Sequence, residues 1–317
     1  MSVAMVFPGQ GSQSVGMLAA LADAEPVVRA TFAEASEVLG YDLWELASQG
    51  PAEALNSTER TQPGMLTAGI ATYRAWRAHD GPVPECVAGH SLGEFTALVC
   101  AGALEFPAAV DLVRTRGALM QAAVPAGSGA MAAILGLEDA EVEAACQAAA
   151  AGAVVEAVNF NSPGQVVIAG ERAAVERAIE AAKARGAKRA LLLPVSVPAH
   201  SSLMRPAAER FTAALQKVTI KVPAVRYVSA VDATAHEGPD ELRALLTRQL
   251  ASPVRWTQTL RALTATGVTA VIECGPGKVL TALNRRCEGR GGVQFLALED
   301  PETLAAALTA ARGGTHA

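Results

Sequence analysis

A serine between two glycines is the feature of this sequence best suited to chemistry. Ser91 lies between Gly89 and Gly93, after the apolar residues 86–88 and before a helix-forming run that starts at Glu94. A strand, a sharp turn and a helix in this order hold a serine hydroxyl clear of a sheet. The glycines allow close approach of strand and helix, and the helix N-terminus brings partial positive charge to the serine. The pattern predicts a nucleophilic Ser91, with an ordinary Gly/Ser turn as the alternative.

A serine nucleophile needs a base that accepts its proton, and the five histidines differ in their surroundings. His79, His236 and His316 lie in polar segments or in the tail. His90 is next to the serine, but neighbouring side chains diverge on a tight turn, so we expect it to shape the turn. His200 follows an apolar strand and is the predicted base, against the alternative of a structural histidine. No acidic residue stands out as a third member, so a backbone carbonyl could orient the imidazole.

An arginine lies on the apolar side of a helix predicted over residues 107–122. At about 100° per residue, Arg116 shares a face with the apolar side chains, whereas Asp111 and Arg114 point away. A buried guanidinium needs an anionic partner, because an unpaired buried charge is costly in free energy. The partner is either a ligand or an internal carboxylate, unless the side chain snorkels to the surface.

Composition limits the possible classes of protein. The chain has 317 residues, of which 51% are hydrophobic and 4% aromatic, so we expect a core of Ala, Val and Leu. The net charge of −5 argues against nucleic acid or an anionic membrane as the main partner. We expect neither a signal peptide nor a membrane span. The five cysteines include no Cys-x-x-Cys pair, which predicts reduced thiols in the cytoplasm.

The order of predicted elements indicates an α/β fold with an insert. Residues 1–126 and 196–317 are predicted to form the large domain, in which buried strands alternate with helices. Its strands are predicted at 3–7, 86–93 (with the turn), 225–231, 268–274 and 293–297, and its helices at 26–39, 43–48, 64–79, 94–101, 107–122, 239–250, 256–266 and 302–311. The tail, Gly313 to Ala317, is predicted to be disordered.

Residues 127–195 have a different pattern. Strands are predicted at 131–135, 154–160, 165–169 and 190–195, and helices at 139–150 and 172–185. The order β-α-β-β-α-β is typical of a ferredoxin-like domain. Insertion of such a unit into a larger fold creates a cleft at the junction. Pro194 and Pro198 predict an extended connection, which would place His200 beside this cleft.

Six motifs, spread over nearly the whole chain, together resemble one family. They are Phe7 to Gln13, Gly89 to Glu94, Arg116-Gly117, Asn159 to Gln165, the segment around His200, and Glu273 to Lys278. The chain is similar to the malonyl-CoA:acyl carrier protein transacylases of fatty acid synthesis and, more broadly, to the acyltransferase domains of polyketide synthases. The resemblance implies an α/β-hydrolase-like large domain with a central, mainly parallel sheet and a ferredoxin-like insert.

The resemblance also implies roles for the candidate residues. Ser91 would be acylated and His200 would be its base. The backbone carbonyl of Gln249 would orient His200, which answers the missing acid. The reaction would be a double displacement from malonyl-CoA to the phosphopantetheine thiol of acyl carrier protein. It would need no metal or redox cofactor, and we expect a monomer.

Other residues would hold the substrate. Backbone N–H groups of Gln10 and Leu92 would form the oxyanion hole, and Arg116 would hold the malonyl carboxylate. Leu92 fits the malonyl rather than the methylmalonyl type. Two positions depart from the family: Ala199 stands where many relatives have a bulky Phe, and residues 229–232 lack an Asn that relatives often carry.

An acidic carrier protein would need a local basic patch on this acidic chain. Five residues are the candidates for carrier docking: Lys188, Arg189, Lys278, Arg285 and Arg286. A solvated charged face is the alternative. Three rival functions also remain: a stand-alone acyltransferase of a polyketide synthase or malonate decarboxylase system, an acyl-thioester hydrolase, and a non-catalytic carrier-docking module.

Overall fold

The computed structural model of the protein describes residues 2–195, 197–288 and 292–313. The strands are β1 (Val3–Phe7), β2 (Cys86–Gly89), β3 (Gly129–Leu135), β4 (Val155–Ser162), β5 (Gln165–Glu171), β6 (Arg189–Leu192), β7 (Arg226–Val228), β8 (Ala235–His236), β9 (Ala270–Cys274) and β10 (Gln294–Leu298).

Helices connect nearly all of these strands. They are α1 (Ala19–Ala24), α2 (Pro26–Leu39), α3 (Leu43–Gln49), α4 (Ala52–Leu55), α5 (Thr58–Ala78), α6 (Gly93–Cys100), α7 (Phe106–Gln121), α8 (Asp139–Ala150), α9 (Arg172–Ala184), α10 (Arg205–Leu215), α11 (Pro239–Arg248), α12 (Trp256–Thr264), α13 (Val279–Glu288) and α14 (Pro301–Ala311). Short 3₁₀ turns cover Ser202–Met204 and Gln249–Ala251.

The larger sheet has the strand order β10-β9-β1-β2-β7-β8. Every neighbouring pair is parallel except β7 and β8 at one edge, which confirms the predicted mainly parallel sheet. All five residues of β1 are buried, because helices cover both faces of the sheet. Met5 and Phe7 pack into the apolar cluster on one face, and Ala4 and Val6 into the cluster on the other.

The smaller sheet has the order β4-β5-β3-β6, with antiparallel neighbours throughout. Helices α8 and α9 pack on one face of it. On the other face Met131 and Val158 form a cluster with Val195 and Ala199 at its edge, toward His200. The predicted order β-α-β-β-α-β is confirmed. The division into domains at 126/127 and 195/196 stays a prediction, and Ser196 lies outside the described residues.

Several elements differ from the sequence prediction. Helix α5 begins at Thr58 rather than at residue 64, because Thr61 and Gln62 pack in the interior and the helix accommodates Pro63. The predictions omitted α1, α4, α10, α13 and the edge strand β8. Strand β7 ends at Val228, because the backbone N–H of Ala230 donates a hydrogen bond to the side chain of Glu94 instead of to a neighbouring strand. Of the predicted disordered tail, residues 314–317 lie outside the described part.

Two further expectations concern the chain as a whole. The five cysteines are free thiols, and Cys86, Cys146 and Cys274 are buried. No helix in the described ranges is both long and apolar enough to cross a membrane.

Candidate active site

Ser91 lies in a tight turn between β2 and α6, which is the order that the sequence pattern predicts. Its φ of +54° is in the left-handed region, which a serine rarely adopts. A Cβ atom on Gly89 would lie 1.8 Å from the carbonyl carbon of Gly93, and one on Gly93 would lie 2.1 Å from the Phe7 oxygen. The turn therefore requires both glycines.

His200 is hydrogen-bonded to this serine across 109 residues of sequence. Its Nε2 lies 2.7 Å from Ser91 Oγ. Its Nδ1 lies 2.9 Å from the backbone oxygen of Gln249 and 3.1 Å from that of Ser252. Since carbonyl oxygens only accept, Nδ1 carries the proton and Nε2 is left as an acceptor. Two carbonyls thus take the orienting place of an acid, and Ser252 was not among the predicted residues.

The environment of His200 keeps its ring neutral. The side chain is buried, with 3% of the residue exposed. Burial, followed by the nearby positive charge of Arg116, lowers the pKa of His200 to about 3. A neutral imidazole is the form that can accept a proton from Ser91.

Arg116 is buried on α7, as the helical periodicity predicts, with 1% exposed, whereas Arg114 pairs with Asp111 at the surface. Its Nη1 donates to Gln62 Oε1 at 2.8 Å. Its Nη2 donates to Gln249 Oε1 at 2.9 Å and to Ser91 Oγ at 3.3 Å.

Two carboxamides accept hydrogen bonds from the terminal nitrogens of this guanidinium, but they do not neutralise its charge. In the described part of the chain Arg116 forms no ion pair, and its Nε is buried without a hydrogen-bond partner. The internal salt bridge considered from the sequence is therefore absent from these residues. Burial lowers the pKa of Arg116 to about 10, so the side chain stays protonated at neutral pH. Gln62, on α5, had no sequence signal that singled it out.

Gln249 connects the parts of the site. Its Nε2 donates to the backbone oxygen of Ser91 at 2.8 Å and to a carboxylate oxygen of Glu94. Its Oε1 accepts from Arg116 and its backbone oxygen accepts from His200. The resemblance implied a role for the backbone oxygen alone, so the side-chain contacts are a finding of the structure.

The candidate oxyanion hole also faces this site. Gln10 and Leu92 line a cavity of about 470 Å³ together with Ser91. Their backbone N–H groups have no hydrogen-bond acceptor among the described residues. Residues of the smaller sheet and of the connection to His200 line the opposite side of the cavity: Met131, Asn159, Leu193, Pro194, Val195, Val197 and Ala199. The cavity therefore lies between the two sheets.

The other histidines are occupied elsewhere. His90 Nε2 lies 2.8 Å from Asn161 Oδ1, and its ring packs against Trp256, so it shapes the turn. His79 pairs with Glu25 and His236 with acidic neighbours. His316 lies outside the described residues.

The five candidate docking residues are all exposed, but their environments differ. Lys188 and Arg189 lie at the edge strand β6 of the smaller sheet. On α13, Arg286 donates to Gln165 Oε1 at 2.7 Å and Arg285 to the backbone oxygen of Phe295 at 3.0 Å. Lys278, which follows β9, forms a 3.0 Å ion pair with Glu299.

A serine hydrogen-bonded to a neutral histidine in the cleft of an α/β fold defines the class of enzymes that form an acyl ester on serine. Comparison with known families narrows this class of enzymes to one family. Residues 4–290 match the family model described as the acyl transferase domain, and the chain belongs to this family.

The similar proteins share one description. The malonyl CoA-acyl carrier protein transacylase of Escherichia coli strain K12 is 56% identical over 305 residues, which cover 96% of this chain and 98% of that protein. The crystal structure of an acyl carrier protein S-malonyltransferase from Vibrio cholerae has a TM-score of 0.93 at 53% identity, covering 96% of this chain and 99% of that one. A malonyl-transacylase solved in complex with its type II PKS acyl-carrier protein has a TM-score of 0.96 at 52% identity, covering 98% and 100%.

Proposed function

We propose that this enzyme transfers a malonyl group from malonyl-CoA to the phosphopantetheine thiol of an acyl carrier protein, through a malonyl ester of Ser91. The observation that carries the proposal is the position of Arg116. A protonated guanidinium without a carboxylate partner lies 3.3 Å from the Ser91 hydroxyl. Malonyl differs from acetyl by a carboxylate, which supplies the missing anion. The names of the similar proteins support this substrate.

The first half of the reaction acylates the serine. His200 Nε2 accepts the proton of Ser91 as the hydroxyl oxygen attacks the thioester carbonyl of malonyl-CoA. The backbone N–H groups of Gln10 and Leu92 stabilise the tetrahedral oxyanion, together with the N-terminus of α6. When the carbon–sulfur bond breaks, His200 returns the proton to the leaving thiol of coenzyme A.

The second half regenerates the enzyme. The carrier thiol gives its proton to His200 and attacks the malonyl ester, and the proton then returns to Ser91 as the ester bond breaks. Neither half of the reaction exchanges electrons, so the route needs no redox group, and the N–H groups of the oxyanion hole stabilise the oxyanion in place of a metal ion. Throughout, Arg116 holds the carboxylate with charge-assisted hydrogen bonds, for which its Nε is an available donor.

We propose that the enzyme supplies malonyl groups to fatty acid elongation in the cytoplasm. Reduced cysteines are typical of that compartment. Service to a polyketide synthase is the second candidate, because one structural neighbour is a malonyl-transacylase in complex with a type II PKS acyl-carrier protein. Transfer rates to holo carrier proteins of the two pathways, compared at equal concentration, distinguish the candidates.

Mass spectrometry of the intact protein tests the malonyl-serine ester. Protein mixed with malonyl-CoA should gain one malonyl group, which peptide mapping locates on Ser91, and Ser91→Ala should gain none. Ser128→Ala, which changes an exposed serine that does not line the cavity, is the matched control. An adduct of unchanged yield on Ser91→Ala would contradict the assignment. Release of free malonate faster than transfer to the carrier would instead indicate a thioester hydrolase.

A further inference from the structure

Glu94 is a buried carboxylate that does not line the active-site cavity but lies one side chain away from it. Only 1% of the residue is exposed. Its Oε1 accepts from the hydroxyl of Tyr227 at 2.7 Å, the hydroxyl of Ser229 at 2.8 Å and the amide of Ala230 at 2.7 Å. The other oxygen, Oε2, accepts from Gln249 Nε2. Both oxygens therefore act as acceptors, which is the arrangement of an ionised carboxylate.

The charge state follows from opposing effects. Burial raises the pKa of Glu94 above its usual range, and the four donors only limit that rise. The ionised form is assigned from the geometry, because both oxygens accept hydrogen bonds. Its negative charge in turn raises the pKa of Arg116 against the effect of burial. The two buried charges thus support each other, although no atom of one is hydrogen-bonded to the other.

The carboxamide of Gln249 separates these charges and has a donor end and an acceptor end. Glu94 accepts from the donor end, so the acceptor end must face Arg116, where Oε1 lies 2.9 Å from Nη2. The same donor end holds the backbone oxygen of Ser91. Glu94 can only accept hydrogen bonds here, so it fixes which end of the Gln249 carboxamide faces it. This effect needs no contact between Glu94 and the substrate.

The distance between the charges has a second consequence. A carboxylate in direct contact with Arg116 would occupy the donors that a malonyl carboxylate needs. A site without any counter-charge would leave the buried guanidinium costly in free energy. A carboxylate placed behind a neutral carboxamide stabilises the cation and leaves it available to a ligand.

We infer that Glu94 is a positioning residue for malonyl selectivity, which acts by fixing the Gln249 carboxamide and by supplying the counter-charge of Arg116 from behind it. The inference rests on the proposed transfer of malonyl groups. It assigns a function to the last residue of the Gly89 to Glu94 motif, beyond the serine and its glycines.

The substitution Glu94→Gln tests this role because it keeps size and removes charge. Three donors face Oε1, so the oxygen of the new carboxamide would keep that position. Its nitrogen would then take the position of Oε2 and face Gln249 Nε2, donor against donor. The Gln249 carboxamide would then rotate or withdraw, so its oxygen would no longer face Arg116. Glu273→Gln is the matched control, since Glu273 is also buried, accepts two backbone N–H groups of α13 at 3.0 and 2.7 Å, and does not line the active-site cavity.

The readout is the ratio of kcat/KM for malonyl-CoA to that for acetyl-CoA, with folding monitored by circular dichroism. Hydrogen bonds to charged groups contribute enough that we expect Glu94→Gln to lower this ratio by about tenfold or more. Glu273→Gln should leave the ratio unchanged, whatever it does to stability. In the background of Arg116→Ala the Glu94→Gln change should no longer alter the ratio, because the residue it acts through is gone.

Three outcomes would overturn the inference: a ratio unchanged in folded Glu94→Gln, an equal fall in Glu273→Gln, or an undiminished effect in the Arg116→Ala background. If Glu94→Gln does not fold, the same cycle is measured with Glu94→Asp, which keeps the charge but withdraws it from Gln249 by one methylene, and the same fall is expected. Absence of malonyl transfer by the unmodified enzyme would instead contradict the proposed function itself, and this outcome is distinct from the three above.

Discussion

Ser91 and His200 meet through a 2.7 Å hydrogen bond, and both have a positive φ, +54° for the serine and +67° for the histidine. Non-glycine residues rarely adopt this conformation, and it costs free energy that the surrounding structure must supply. The serine is held by its glycine neighbours and the histidine by two backbone carbonyls. Two strained residues in contact indicate a pair that the fold holds ready for proton transfer.

Removal of the base should slow acylation but leave the fold intact. General base catalysis contributes about 10²–10⁴-fold, so His200→Ala should slow the formation of malonyl-Ser91 by that factor. Quenched-flow mass spectrometry measures the rate. His79→Ala, which removes a surface histidine paired with Glu25, should react at the unmodified rate. If His200→Ala also acylates normally, the histidine is structural and His90 becomes the candidate base.

The pH dependence of acylation should differ from that of an ordinary histidine base. A base works when unprotonated, so its rate falls as the pH drops through its pKa. Burial and Arg116 lower the pKa of His200 to about 3, which moves that fall to acid pH. We expect kcat/KM for malonyl-CoA to stay level from about pH 8 to about pH 5. A histidine with the usual pKa of about 6.5 would lose roughly 30-fold over that range, and such a loss would contradict the expectation.

Gly93 should be intolerant of a methyl group. The Cβ of Gly93→Ala would meet the backbone oxygen of Phe7 at 2.1 Å, so the strand and helix would have to separate. We expect the free energy of unfolding to fall by at least about 2 kcal/mol, measured by urea denaturation. Gly292→Ala is the control, because its Cβ would meet none of the described atoms within 4 Å. Equal stabilities of the two variants would show that the turn can relax.

Carrier docking should depend on exposed arginines. Arg285→Glu combined with Arg286→Glu should raise the KM for the carrier by about 3- to 10-fold, since each exposed pair contributes up to about 1 kcal/mol. The salt dependence of that KM should weaken. Arg210→Glu is the control: it reverses the charge of one exposed arginine on α10 and should have no effect. Equal changes in the kinetics of malonyl-CoA and of the carrier would argue against docking.

Local patterns in the sequence predicted much of the fold and part of the site. The glycines identified the turn at Ser91, and helical periodicity identified the buried side of α7 that carries Arg116. The network behind them could not be predicted. Gln249 meets Ser91 across 158 residues and Glu94 across 155, and polar residues that meet only in the folded chain leave no periodic signal. Helix α10 was omitted although Ala207, Phe211 and Leu215 have helical spacing.

Substrate choice should depend on Arg116. Removing one partner of a desolvated charge pair costs about 2–5 kcal/mol, so Arg116→Ala should lose roughly 30- to several-thousand-fold in kcat/KM for malonyl-CoA. Acetyl-CoA should lose little or gain, because the unpaired charge that disfavours it is removed. Arg116→Lys should not restore malonyl transfer fully, since an ammonium lacks the planar fork that holds both carboxylate oxygens.

The control for this prediction lies on the same helix. Arg114→Ala removes a guanidinium that pairs with Asp111 at the surface, 2.6 Å away, and should change neither substrate's kinetics. Steady-state transfer to holo carrier, measured for both thioesters and all four proteins, gives the comparison. An equal loss for malonyl and acetyl in Arg116→Ala, or loss of its fold, would mean that the arginine is needed for the structure of the cleft. The preference for a carboxylate-bearing acyl group would then have to come from another cation.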